Sequence, residues 1–178
     1  TLFITVGKTA QQSGCCCCSS PTQDAPDFAD LGLTAAMYLS HPEWFSLMRR
    51  EGGQGCYPFV QHMSEGFTKS LAARLNELSE VKVVEATGGE RLEKGTVYLA
   101  KGGSQMRVVK KGSEYVIDIN TAEPARNGLK PCADIMMESL ANLVFDDITC
   151  VVLTGMGGDG TMGIRQLNEA SNIYVIGQ

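Results

Sequence analysis

Ile148 to Thr154 is apolar on both faces apart from its threonines. Only a strand covered on both sides tolerates that composition, so the segment reads as an interior strand of a parallel sheet. The glycine-rich loop Gly155-Met156-Gly157-Gly158-Asp159-Gly160 comes directly after it, then a helix over Thr161–Ala170 and a strand over Ile173–Ile176. Strand, tight loop, helix and strand in that order form a βαβ unit, which belongs to the α/β class.

The chain upstream repeats this grammar. Leu71, Leu75 and Leu78 fall at helical spacing within Thr68–Leu78, after a short apolar run that ends at Phe59-Val60. Val81–Ala86 alternates as a strand does, Gly88-Gly89 marks a turn, and Thr96–Ala100 is a further strand. Met106–Val109 and Tyr115–Ile119 flank Lys111-Gly112-Ser113 as a β-hairpin. Ala133–Val144 reads as a helix with Ile135, Met136, Leu140 and Val144 on one side. The expected fold is therefore α/β, a doubly wound and mostly parallel sheet with helices on both faces and a β-hairpin, incomplete at both ends.

The part before Tyr57 has a different character. Ser13–Asp27 is rich in Cys, Ser, Pro and Gln without a period, Leu31–Met48 supplies a helix or two interrupted by Pro42, and Glu51–Gly55 is a glycine-rich turn. Four of the seven cysteines are consecutive, Cys15 to Cys18. Consecutive residues cannot enclose a tetrahedral metal, and Cys56, Cys132 and Cys150 do not form a disulfide framework, so the run reads as low complexity in a reducing compartment.

Net charge of −5 excludes the broad cationic face that nucleic acid needs. No apolar run reaches membrane-spanning length, and Thr1–Gly7 lacks the basic start and long apolar stretch of a secretory signal, so the expected location is the cytoplasm.

Chemistry has few candidates. The two histidines are His41 and His62. His62 lies just past Phe59-Val60 and Asp159 just past Ile148–Thr154, so both project from the carboxyl ends of strands, where open α/β sheets gather their sites. A histidine held by an aspartate makes a general base, while a lone histidine is more often structural. The loop also competes as a nucleotide site, because Gly155, Gly157 and Gly160 match a G-x-G-x-x-G pattern between strand and helix. The acid expected about 20 residues later falls at the end of the sequence, which weakens an NAD reading. Gly7-Lys8-Thr9 mimics the end of a P-loop, but Leu2 stands where its first glycine belongs.

Several ordered motifs together resemble the chemotaxis methylesterase family, CheB. Val60-Gln61-His62-Met63-Ser64-Glu65-Gly66-Phe67-Thr68, running on through Leu71-Ala72-Ala73-Arg74-Leu75, is similar to the family's histidine segment. Gly95 to Gly103, Asn127-Gly128, Pro131 and Asp134 fit as well, and Leu153 to Gly160 resembles the loop carrying the family's aspartate. The resemblance spans about 59–178. It implies His62 as general base, Asp159 as its orienting partner and the backbone N–H of Met156 as an oxyanion donor. It further implies hydrolysis of glutamyl methyl esters on methyl-accepting chemoreceptors, glutamine deamidation, and no metal or organic cofactor.

The resemblance stops where the nucleophile belongs. The family's Gly-x-Ser-Thr-Gly-Gly turn has no counterpart; Val6-Gly7-Lys8-Thr9 matches its start with Thr9 at the serine position, and Gln11-Gln12 replace the glycines. Ser13 and Ser40 are the other candidates, and the nucleophile stays unassigned. Ser64 and Lys101 stand where the family has prolines. Residues 1–58 read as an atypical segment, disordered or mis-translated, and 59–178 as a methylesterase domain truncated at its C-terminus, which a damaged, frame-shifted or fragmentary copy would explain. Nothing before Phe59 resembles the acidic pocket of a receiver domain, so regulation by phosphorylation within this sequence is not expected. An inactive receptor-binding module is the alternative reading, and a nucleotide-binding oxidoreductase the distant one.

Overall fold

The structure, a computed structural model, describes residues 2–8, 55–79, 81–152 and 157–177. Along the chain these are β1 (Leu2–Lys8), β2 (Tyr57–Val60), α1 (Phe67–Leu78), β3 (Lys82–Glu85), β4 (Thr96–Leu99), β5 (Gln105–Lys111), β6 (Glu114–Asn120), α2 (Ala133–Leu140), β7 (Phe145–Val152), α3 (Thr161–Ala170) and β8 (Ile173–Gly177). Six of the strands form one sheet in the order β3-β4-β2-β1-β7-β8, and β5-β6 is a separate hairpin. The fold is α/β.

Period-two alternation divides the strands between two cores. Tyr57, Phe59, Val83, Val97 and Leu99 face α1, meeting Leu71, Ala72 and Leu75. Val60, Tyr98, Ala100, Ile148 and Cys150 face the other way, onto Ala133, Met136, Met137 and Leu140 of α2, Leu167 of α3 and the hairpin residues Met106, Val108 and Ile117. Helices thus cover both faces. Each fully buried large side chain, such as Phe59, Leu75, Leu99 or Ile148, contributes about 1.5–3 kcal/mol of transfer free energy.

Strand direction decides where chemistry can gather. β2, β3 and β4 are mutually parallel, as are β7 and β8, and β1 is antiparallel to both β2 and β7. Two strands antiparallel to the same neighbour share a direction, so five strands point their carboxyl ends at one edge and β1 alone runs against them. No described helix is long and apolar enough to cross a membrane.

One expected boundary shifts. α2 stops at Leu140, not at Val144, and Val144 is 65% exposed instead of core-facing. The cause lies in the residue after it. Phe145 opens β7 opposite Lys8 and packs its ring 4.7 Å from Tyr115, whose hydroxyl donates to the Val144 carbonyl. Ala141 to Val144 must therefore turn the chain back toward the sheet, and helical spacing at Val144 is overridden.

Candidate active site

His62 stands two residues beyond β2, in a loop whose shape is set from behind. Ser64 accepts the N–H of Phe67 as the chain turns into α1, and Thr68 accepts from the N–H of Gly102 while donating to Glu85. The turn after β4 is thereby pressed against the histidine loop. A Cβ on Gly102 would lie 2.6 Å from the Ser64 carbonyl oxygen and 2.9 Å from the Glu65 nitrogen. Both are backbone atoms with little room to yield. Gly102→Ala is expected to destabilise the fold by about 1–2 kcal/mol and to draw His62 away from its partner, measured by thermal unfolding and by loss of the protected His62 ring N–H signal in proton NMR.

That partner is Asp159. His62 Nε2 lies 2.7 Å from Asp159 Oδ2, with the histidine side chain 36% exposed and the aspartate side chain 6% exposed. The backbone N–H groups of Ala133 (2.7 Å) and Asp134 (3.0 Å) and the Cys132 thiol (3.1 Å) also donate to the Asp159 carboxylate. Burial alone would push this carboxyl up. The hydrogen bonds from His62, Ala133, Asp134 and Cys132 outweigh burial and hold it well below the usual carboxylate range. Asp159 is therefore an anion throughout the physiological range, and His62 presents its Nε2–H to it. Nδ1 is then the nitrogen that carries a lone pair and can take a proton.

Residues that spacing alone did not assign complete the setting. Gln105, fully buried, donates to the carbonyls of Pro124 and Leu129 and accepts the N–H of Cys132, delivering the chain to the start of α2. The Cys132 thiol is pushed up to about 11, by burial above all and by its bond to Asp159, so at neutral pH it is a donor and not a nucleophile. Cys132, Asp134 and Asp159 bring three potential ligand atoms within 4.8 Å of one another. Each carboxylate in that group already accepts protein donors, which accounts for the cluster without a cation.

The same contacts weigh against the nucleotide reading of the glycine loop, of which Gly155 and Met156 lie outside the described residues. A phosphate at the start of α3 would need free N–H groups there. Those of Gly160 (2.9 Å) and Gly163 (2.8 Å) instead donate to Asp134 Oδ1, which puts a carboxylate where the phosphate would sit.

Met156, Thr9, Ser13, Ser40 and His41 lie outside the described residues. β1 nevertheless bears on the search for a nucleophile. Leu2 pairs with Val60 and with Val152, at the edge from which His62 and Asp159 project, whereas Lys8 pairs with Phe145 at the far end of β7. Six residues of extended chain at about 3.3 Å each separate the two ends of β1 by about 20 Å.

The sheet, parallel apart from β1, thus brings a histidine–carboxylate pair together where the carboxyl ends of two strands converge. The family model of the CheB methylesterase matches residues 47–178, and the chain belongs to that family. It is 44% identical over 121 residues to the protein-glutamate methylesterase/protein-glutamine glutaminase of Bacillus subtilis strain 168, covering 67% of this chain and 33% of that protein. Its counterpart in Geobacillus kaustophilus is 41% identical over 119 residues, 67% of this chain and 34% of that protein. The chain thus spans about a third of the length of the curated relatives it matches. The crystal structure of the Thermotoga maritima CheB methylesterase catalytic domain superposes with a TM-score of 0.60 at 33% identity, over 65% of this chain and 61% of that one.

Proposed function

We propose that residues 59–178 supply the base-and-orienter half of a protein-glutamate methylesterase site, acting on γ-glutamyl methyl esters of chemoreceptors in the cytoplasm and, as a second activity, on glutamine amides. The observation that carries this reading is the 2.7 Å contact between His62 and Asp159 at the carboxyl edge of the sheet. Asp159 keeps the Nε2–H tautomer, so Nδ1 accepts the proton of a hydroxyl nucleophile as it attacks the ester carbonyl. The tetrahedral oxyanion takes a hydrogen bond from the Met156 N–H. The imidazolium then protonates the leaving methoxide, methanol departs, and a water activated by the same base releases the acyl group as free glutamate. Nothing in these steps needs a metal or an organic cofactor.

The direction of β1 favours a second reading, a receptor-binding module that does not turn over. Leu2 is the end of β1 that meets Val60 on the His62 side, and the carboxyl end of the strand lies about 20 Å further along it. One experiment separates the two: methanol release from a methylated receptor fragment, measured beside binding to the same fragment, for the chain and for His62→Ala. Release that vanishes in the variant supports the esterase, and mutation of Thr9, Ser13 and Ser40 then locates the nucleophile. Binding without release supports the module.

A further inference from the structure

We propose that Asp134 is a positioning residue for the His62–Asp159 pair, acting through a reciprocal exchange of carboxylates between the starts of α2 and α3. Asp134 is 4% exposed and sits in the first turn of α2. Its Oδ1 accepts the N–H of Gly160 at 2.9 Å and of Gly163 at 2.8 Å, the opening donors of α3. Asp159, immediately before that helix, accepts in return the N–H groups of Ala133 and Asp134, the opening donors of α2.

Neither helix is capped by its own N-cap side chain, for Cys132 and Gly160 make no such bond. Each start instead borrows the carboxylate of the other. Helix starts carry roughly half a positive charge and unpaired N–H groups, so two of them brought together repel unless anions lie between. Here the two anions are interleaved, and their arrangement fixes both rotation and height of Asp159. Its Oδ1 is held by Asp134 N and the Cys132 thiol, while its Oδ2 is shared by Ala133 N and His62.

Without Asp134 the Gly160 N–H loses its acceptor, and the residue next to Asp159 is no longer anchored to α2. Asp159 then keeps its own contacts only as far as an unanchored neighbour allows. Asp134 touches neither His62 nor a reacting group; its effect runs through the loop.

The role serves the proposed hydrolysis, but it can be read from the pair itself. A ring N–H held by a buried carboxylate exchanges slowly and gives a downfield proton NMR signal. With two histidines in the chain, His62→Gln assigns that signal by removing it. Asp134→Ala is expected to lose the signal in a chain that still shows a cooperative melt. Asp134→Asn, which keeps an oxygen able to accept both N–H groups, is expected to retain it. Val83→Ala, a core change beneath α1, is expected to lower the melting temperature and leave the signal in place. A folded Asp134→Ala chain with the signal intact, or its loss in Asp134→Asn, overturns the proposal. Should Asp134→Ala not fold, Asp134→Glu takes its place: the longer side chain displaces Gly160 and is expected to abolish the signal, and its survival there equally overturns the proposal. A chain that keeps the signal yet releases no methanol would sink the hydrolytic reading and leave the role of Asp134 standing.

Discussion

Asp159→Ala is expected to lower the unfolding free energy by about 3 kcal/mol and to reduce any methanol release by on the order of 10³–10⁴-fold. The stability loss comes from the donors that the carboxylate satisfies. Removing it leaves the N–H groups of Ala133 and Asp134 and the Cys132 thiol without their acceptor at a buried helix start. The loss of activity comes from the freed imidazole, which no longer holds one tautomer or one orientation. Asp159→Asn is the milder case for stability, because an amide oxygen still accepts on one side, but its NH2 group confronts donors on the other. Urea unfolding of the three chains checks the order.

The same carboxylate makes stability depend on pH with a definite sign. In the folded chain its pKa is depressed, whereas in the unfolded chain it lies near about 3.9. Between those values the unfolded state binds more protons, so acid favours unfolding. The contribution of Asp159 is fully present above the unfolded value and is lost as the pH falls through the folded one. The gap in melting temperature between the parent chain and Asp159→Ala should therefore narrow as the pH falls below about 4. A gap that stays constant down to strong acid would mean that the anion is not what stabilises the parent.

How legible this was in the sequence depends on the range of the interaction concerned. Ile148 to Val152 announced an interior strand, with Ile148 and Cys150 buried and Thr149, Val151 and Val152 half-buried, and the spacing after the glycine loop announced a helix, because both patterns are written in consecutive residues; Leu153 and Thr154 lie outside the described residues. Lys111-Gly112-Ser113 announced the hairpin for the same reason. Val144 misled, since its place in a helical period is local whereas its exposure comes from the return of Phe145 to the sheet. The antiparallel course of β1 is not written in Leu2–Lys8 at all. A strand's propensity is the same in either direction, and only its pairing with β2 and β7 fixes which end meets His62.

The site divides in the same way. His62 and Asp159 stood out because each comes after an apolar run and resembles a family motif. Asp134 entered only among the residues that fit the family resemblance, with no role attached to it, and an acid in the first turn of a helix ordinarily means no more than a favourable interaction with the helix dipole. Its second task, accepting from Gly160 and Gly163, depends on α3 arriving beside α2. Cys132 gave no signal, because a cysteine before a helix is as often core as anything else.

That meeting of α2 and α3 can be tested at one glycine. Gly163 lies inside α3, where alanine would ordinarily stabilise a helix by about 1 kcal/mol. Here a Cβ would stand 2.6 Å from the Met137 Cβ, 3.0 Å from the Asp134 carbonyl oxygen and 3.1 Å from the Asp134 Cα. Two of these are backbone atoms and the third is fixed to the backbone of α2, so relief requires the helices to move apart. Separation would open the contacts of the fully buried Met136, Met137 and Leu167 and stretch the Gly163-to-Asp134 hydrogen bond. The steric cost outweighs the gain in propensity, and Gly163→Ala is expected to be net destabilising by about 2–3 kcal/mol. Asn168→Ala, at an exposed position of the same helix, supplies the comparison: it keeps the propensity gain without the clash and should raise the melting temperature slightly. If Gly163→Ala raised it as well, the close crossing of α2 and α3 would be wrong, and with it the geometry that brings Asp134 and Asp159 within reach of each other's helix.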